Sequence, residues 1–159
     1  MKQVKSFTLI EMVVVVVILS ILIVLGTMNF IKPQITFSLD TVSLQTVSDL
    51  RSQQLKAMKG QTSGKATSQQ YGIKFLSNSY VLFSGSTYST GDTTNTIISL
   101  DPNLSFTNIA LTNAEIVFDK LSGEFVGYTA PTSTLRLTNS ADGSYRTISI
   151  NKMGVANVN

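Results

Sequence analysis

Glu11 is the residue of this 159-residue chain whose position most plainly asks for a chemical partner. It follows Ser6-Phe7-Thr8-Leu9-Ile10 and opens a run, Met12 to Leu25, in which only Ser20 is not apolar. A carboxylate in such surroundings is expensive on membrane-insertion scales, less so near the interface, unless a partner cancels it. One cancelling partner is a free α-amino group, and that requires the chain to be cut close by. Other chemistry is sparse. The chain has no His, Cys or Trp, which excludes Cys/His zinc sites, disulfides, His-based acid–base pairs and thiol nucleophiles. Asp92, Asp101, Asp119 and Asp142 stand one per turn, where Asp is an ordinary turn former, so no metal site is expected. No Gly-rich phosphate loop follows a strand and opens a helix. No catalysis and no cofactor are therefore expected.

The elements that must position Glu11 follow from charge and periodicity. The formal charge of +3 is concentrated in Lys2 and Lys5, ahead of the apolar run. From Phe7 onward ten Lys/Arg face nine Asp/Glu, too small an excess to neutralise a row of phosphates. Residues 7–31 are long and apolar enough, at roughly 30 Å of hydrocarbon, to form a single membrane-spanning helix. The first Ala is Ala57, so no Ala-x-Ala cleavage site follows the run. Lys2 and Lys5 before it, with no basic cluster just after, place the amino terminus in the cytoplasm and the remainder outside.

Pro33 removes one helix hydrogen bond and invites a kink without ending the helix. Ile35, Leu39, Val42, Val47, Leu50, Leu55 and Met58 then recur mostly at gaps of three to five, an amphipathic helix over 32–60 ending near Lys59-Gly60. Residues 61–70 read as a loop. Beyond it, short β-like runs are expected at 71–76, 80–83, 96–100, 105–111, 115–118, 124–128, 134–137 and 145–150, separated by turn residues. The fold class is α+β: one long amino-terminal helix packed against an antiparallel sheet in a β-rich head, 61–159.

The segment Phe7-Thr8-Leu9-Ile10-Glu11 after a short basic leader resembles the class III signal of type IV pilins and type II secretion pseudopilins. The resemblance implies a leader, residues 1–6, removed by a prepilin peptidase between Ser6 and Phe7, with N-methylation of Phe7. Ser6 stands where the family usually has Gly. Glu11 becomes the fifth residue of the mature chain, the carboxylate that pairs with a neighbouring subunit's amino terminus during assembly. The resemblance covers about 25 residues and implies a single-pass inner-membrane protein that later enters a filament.

More loosely, the stretch 49–59, the 71–83 strand pair, Phe118-Asp119…Ser122-Gly123 and 148–154 are similar to the H-type minor pseudopilins and related fimbrial minor pilins. The expectation is a structural, minor subunit of a pilus, competence or secretion pseudopilus. Its partners would be other pilins, the prepilin peptidase, an inner-membrane assembly platform and, before assembly, membrane lipid. Some such relatives capture DNA through a basic carboxy-terminal tail. Lys120, Arg136, Arg146 and Lys152 supply positive charge here, but the tail after Lys152 carries none, which argues against DNA as a partner. These cations read instead as solvated charges that protect edge strands. The alternative reading is a membrane-anchored extracytoplasmic binding module that never polymerises.

Overall fold

The computed structural model describes residues 8–130 and 133–159, the side chains of 24–37 excepted. The fold is α+β. Helix α1 spans Leu9–Met58 and is followed by β1 (Tyr71–Phe75), β2 (Ser79–Ser84), β3 (Thr96–Ser99), β4 (Leu104–Ala110), a 3-10 turn at Thr112–Ala114, β5 (Glu115–Phe118), β6 (Thr134–Asn139), β7 (Tyr145–Ile150) and β8 (Ala156–Val158). The chain divides into two compact units, Met1–Thr36 and Phe37–Asn159.

In the first unit the apolar side chains from Leu9 to Ile23 are all exposed. The one hydroxyl among them, Ser20 Oγ, donates to the Val16 carbonyl at 2.8 Å, so it needs no outside partner. Among the described residues no helix is long and apolar enough to cross a membrane. The expected span, 7–31, extends past Ile23 into side chains outside the described set. Pro33 falls within α1, and the kink expected there also lies outside the described residues.

In the second unit, the part of α1 from Ser38 onward buries Leu39, Ser43, Thr46, Val47, Leu50, Gln53 and Ala57. Apart from the adjacent Thr46 and Val47, these positions recur at gaps of three and four, one face of a 3.6-residue helix. The apolar stripe expected there is corrected at its end: Leu55 is 52% and Met58 45% exposed, because both fall out of phase with Leu50. Polar residues fill the stripe instead. Ser43 Oγ and Thr46 Oγ1 are satisfied on the Asp40 and Val42 carbonyls, each at 2.8 Å, which allows their burial. The helix stops where expected. Gly60 adopts φ +63°, Gly60 N–H donates to Ala57 O and Gln61 N–H to Lys56 O, a Schellman cap.

The head holds two four-stranded antiparallel sheets where one was expected, ordered β3-β2-β1-β5 and β4-β6-β7-β8. Both contribute to one core with the helix: Ile73, Phe75, Tyr80, Ile116 and Phe118 from the first, Leu104, Phe106, Leu135, Leu137, Ile148 and Ile150 from the second, and Leu39, Val47, Leu50 and Ala57 from α1. Phe106 joins the sheets, edge-on to Phe75 at 5.1 Å and to Tyr80 at 6.1 Å. The strand expected at 124–128 is absent. Gly127 turns at φ +75°, and only an isolated bridge, Phe118 to Phe125, remains. Conversely, β8 was not expected; it pairs with β7 and extends through reciprocal bonds between Thr147 and Asn159 at 2.9 Å. Gly72 is required on β1, since a Cβ there would lie 2.6 Å from both the Ile116 carbonyl and the Phe83 ring.

Candidate functional site

Thr8 is the residue before the first helical position, and Glu11 lies in the first turn. Their side chains cap each other's backbone. Glu11 N–H donates to Thr8 Oγ1 at 3.3 Å, while Glu11 Oε2 accepts from Thr8 N–H and Thr8 Oγ1–H, each at 3.2 Å. This is a capping box, in which two helix-terminal donors are satisfied reciprocally. The partial positive charge of the helix start also favours a carboxylate there. Thr8 was not singled out from the sequence, although Thr-x-x-Glu before an apolar run is a recognisable capping signature. Its presence revises the reading of Glu11: part of the carboxylate's need for donors is met within its own chain.

The arrangement leaves chemistry in reserve. Both donors converge on Oε2, and Oε1 accepts no hydrogen bond among the described residues. The carboxylate is exposed, held by Thr8, and followed in the sequence by exposed apolar residues. Ser6 and Phe7 lie outside the described residues, so the geometry of the expected cleavage bond is not part of this site.

A second set of polar contacts holds the last turns of α1 to the head. Tyr80 Oη donates to Asp49 Oδ2 at 2.5 Å, and Gln45 Nε2 donates to Asp49 Oδ1 at 3.1 Å. Burial, then the hydrogen bond and charge of Asp49, push the Tyr80 hydroxyl well above the usual tyrosine range. Gln54 Nε2 donates to the Gly123 carbonyl at 2.8 Å and the Met153 carbonyl at 2.7 Å. Gly154, at φ +77°, leaves room for it, since a Cβ there would sit 2.5 Å from Gln54 Nε2. The Ser122-Gly123 turn and the closing 148–154 segment, noted above for their loose resemblance, thus meet on one glutamine. Arg146 Nε pairs with Asp40 Oδ1 at 2.8 Å, and Ser38 Oγ donates to Asp101 Oδ2 at 2.8 Å.

The remaining candidates take ordinary partners. Asp92 accepts from Thr94 N–H and Oγ1–H, and Asp142 from Ser144 Oγ–H and N–H, which holds both carboxyls below the usual aspartate range. Asp119 Oδ1 accepts from Gln70 Nε2 at 2.8 Å. Among the described residues, no three His, Cys, Asp or Glu side chains gather as a metal site would require. The guanidinium of Arg136 lies 4.1 Å over the Tyr145 ring, a cation–π contact. Two of the four basic residues considered for a head patch, Arg136 and Arg146, are thus engaged within the chain, while Lys120 and Lys152 are exposed.

No curated protein and no solved structure matches the chain. The family model of the prokaryotic N-terminal methylation motif matches residues 1–27, which include Ser6, Phe7 and the Thr8–Glu11 box, and this supports the type IV pilin or pseudopilin type with processing by a prepilin peptidase.

Proposed function

We propose that the chain is a structural, minor subunit of a type IV pilus-like filament or of a type II secretion or competence pseudopilus, polymerising through its amino-terminal helix. Residues 1–6 form the leader, 7–31 the membrane and filament-core helix, 32–60 its amphipathic continuation and 61–159 the head. Before assembly the protein sits in the inner membrane with its amino terminus in the cytoplasm and its head outside. Prepilin peptidase hydrolyses the Ser6–Phe7 peptide bond, leaving a carboxylate on Ser6 and an amine on Phe7; the neutral amine then takes a methyl group from a sulfonium methyl donor, whose C–S bond breaks to leave a thioether as the nitrogen loses a proton.

The observation that carries this reading is the Thr8–Glu11 box at the head of an otherwise apolar, outward-facing helix. A helix apolar on all sides needs surroundings that are themselves apolar, either lipid or a bundle of like helices. Extraction from the membrane is feasible when burial among neighbours replaces burial in lipid. Glu11 then supplies register, because a misaligned subunit leaves its charge unpaired inside an apolar bundle.

The test is the amino-terminal peptide of this protein, determined by mass spectrometry in sheared surface material and in washed membranes. N-methylated Phe7 in both fractions is the expected result for a pilus subunit. The same terminus in membranes alone would indicate a scarce priming or pseudopilus subunit. An intact 1–6 leader in every fraction would overturn the proposal in favour of the anchored binding module.

A further inference from the structure

Three buried polar atoms among the described residues lack a hydrogen-bond partner in the chain: Gln53 Oε1, Ser84 Oγ and Asn95 Oδ1. Such orphans are rare in folded proteins and call for an explanation. Two of them share a cavity. Gln53 and Ser84, only 2% and 7% exposed, line the same cavity of about 60 Å³ between α1, β1 and β2. Asn95 stands between Thr94 and Thr96, two further residues of its wall.

The geometry of helix and strand explains why Gln53 and Ser84 do not meet. Asp49 and Tyr80 touch directly, and Gln53 and Ser84 each lie four residues further on. Four residues advance about 6 Å along a helix but about 13 Å along a strand. Because the two rises differ, a direct contact at the first pair does not carry over to the second, and the two side chains share a cavity instead.

We propose that this cavity is a hydration site, in which ordered water donates to Gln53 Oε1 and bonds Ser84 Oγ, joining α1 to β2. The volume suits it. The cavity exceeds the roughly 10–15 Å³ that a single water needs and falls well short of the about 300 Å³ or more of sites for small organic ligands. The wall chemistry also selects water over a metal cation. Lys56 contributes to the wall and no carboxylate does, so a second positive charge would be repelled. Gln53 Oε1 needs a donor, and Ser84 Oγ can give or take a proton; water satisfies both. The site is independent of whether the chain polymerises.

The experiment is NMR on the full chain in detergent micelles, looking for water cross-relaxation to the Gln53 side-chain amide, together with a thermal-unfolding cycle of Gln53→Met, Ser84→Ala and the double variant. The expected result is a long-lived water cross-peak. Each single variant should melt about 3 °C lower, and the double variant no lower than the worse single, because both lose the same water. No cross-peak, with single variants that melt at or above the wild type and effects that add, would mean a dry gap and overturn the proposal. A missing cross-peak with coupling abolished by Lys56→Met would place the lysine ammonium there, and would overturn it equally.

Discussion

The two described ends of α1 handle apolar surface in opposite ways. From Leu9 to Ile23 every apolar side chain is exposed, and the polar groups find partners close in sequence, Ser20 on Val16 and Thr8 with one oxygen of Glu11. From Ser38 to Met58 the helix buries one stripe that includes Ser43, Thr46 and Gln53, while Leu44 is left 63% exposed. Hydrophobicity alone therefore does not say what covers a helix. The first stretch is apolar around its whole circumference, so only surroundings on all sides can bury it. The second meets its own sheets on one face, and whatever residue faces them is buried, polar or not. The first stretch depends on its surroundings outside the chain, the second on the head.

The largest effect expected from this contrast is at Glu11. Glu11→Ala should leave the protein in the membrane and its head folded, but lower its recovery in sheared filaments by about a thousandfold, the equivalent of roughly 4 kcal/mol, the scale of breaking a buried ion pair. Glu11→Gln sharpens the comparison, because Gln can still close a capping box while carrying no charge. If the Gln variant assembles like wild type, the box rather than charge pairing is what assembly needs, and the register argument fails. Quantitative immunoblotting of sheared and membrane fractions measures both variants.

In the second stretch the effect moves from assembly to stability. Leu50 is fully buried among residues of both sheets, and Leu50→Ala should destabilise the head by about 3 kcal/mol through lost burial and the cavity left behind. Leu44→Ala, six residues earlier on the exposed side, should change stability by no more than about 0.5 kcal/mol. Urea unfolding of the full chain in micelles, followed by near-UV circular dichroism, separates the two. Comparable losses at both positions would mean that the outer face of α1 is also covered within the chain, and the contrast drawn above would collapse.

The same contrast accounts for what could be read in advance. Local signals carried far: the Gly60 cap, and strands at seven of the eight β-like runs bounded by turns. Long-range contacts did not. Gln53 is buried because it shares the stripe of Leu50 and Ala57 that the head covers, beside an Asp49–Tyr80 contact whose members are 31 residues apart in sequence. Leu55 and Met58 kept an apparent period in the sequence, yet the sheets cover a neighbouring face. Ala156-Asn157-Val158 is too short to signal a strand and is one only because β7 offers an edge. Residues 124–128 had strand composition, but the positive φ of Gly127 turns the chain away. Thr8 is the instructive miss, since its signal was local and legible, and was passed over because Glu11 was read only as an unpaired charge.

The smallest effect separates the two stretches by pH. Tyr80 is the buried end of a hydrogen bond to Asp49, and ionising it would set a second negative charge beside that carboxylate in the core. In the folded head its hydroxyl keeps its proton above the ordinary tyrosine value of 10.0, where the unfolded chain has begun to lose it. The unfolded state then binds fewer protons, so stability falls as pH rises. The contribution is complete below pH 10 and is lost progressively as pH climbs from there toward the raised folded value. Tyr80→Phe should destabilise the head at pH 7 by about 1.5 kcal/mol, the loss of a hydrogen bond to a charged acceptor. Above pH 10 the gap from wild type should narrow, because the variant has no proton to lose at this position. Urea midpoints of both proteins at pH 7, 9, 10.5 and 11 test this, and a gap constant across that series would mean that Tyr80 titrates normally and that the Asp49 contact does not hold the helix to β2.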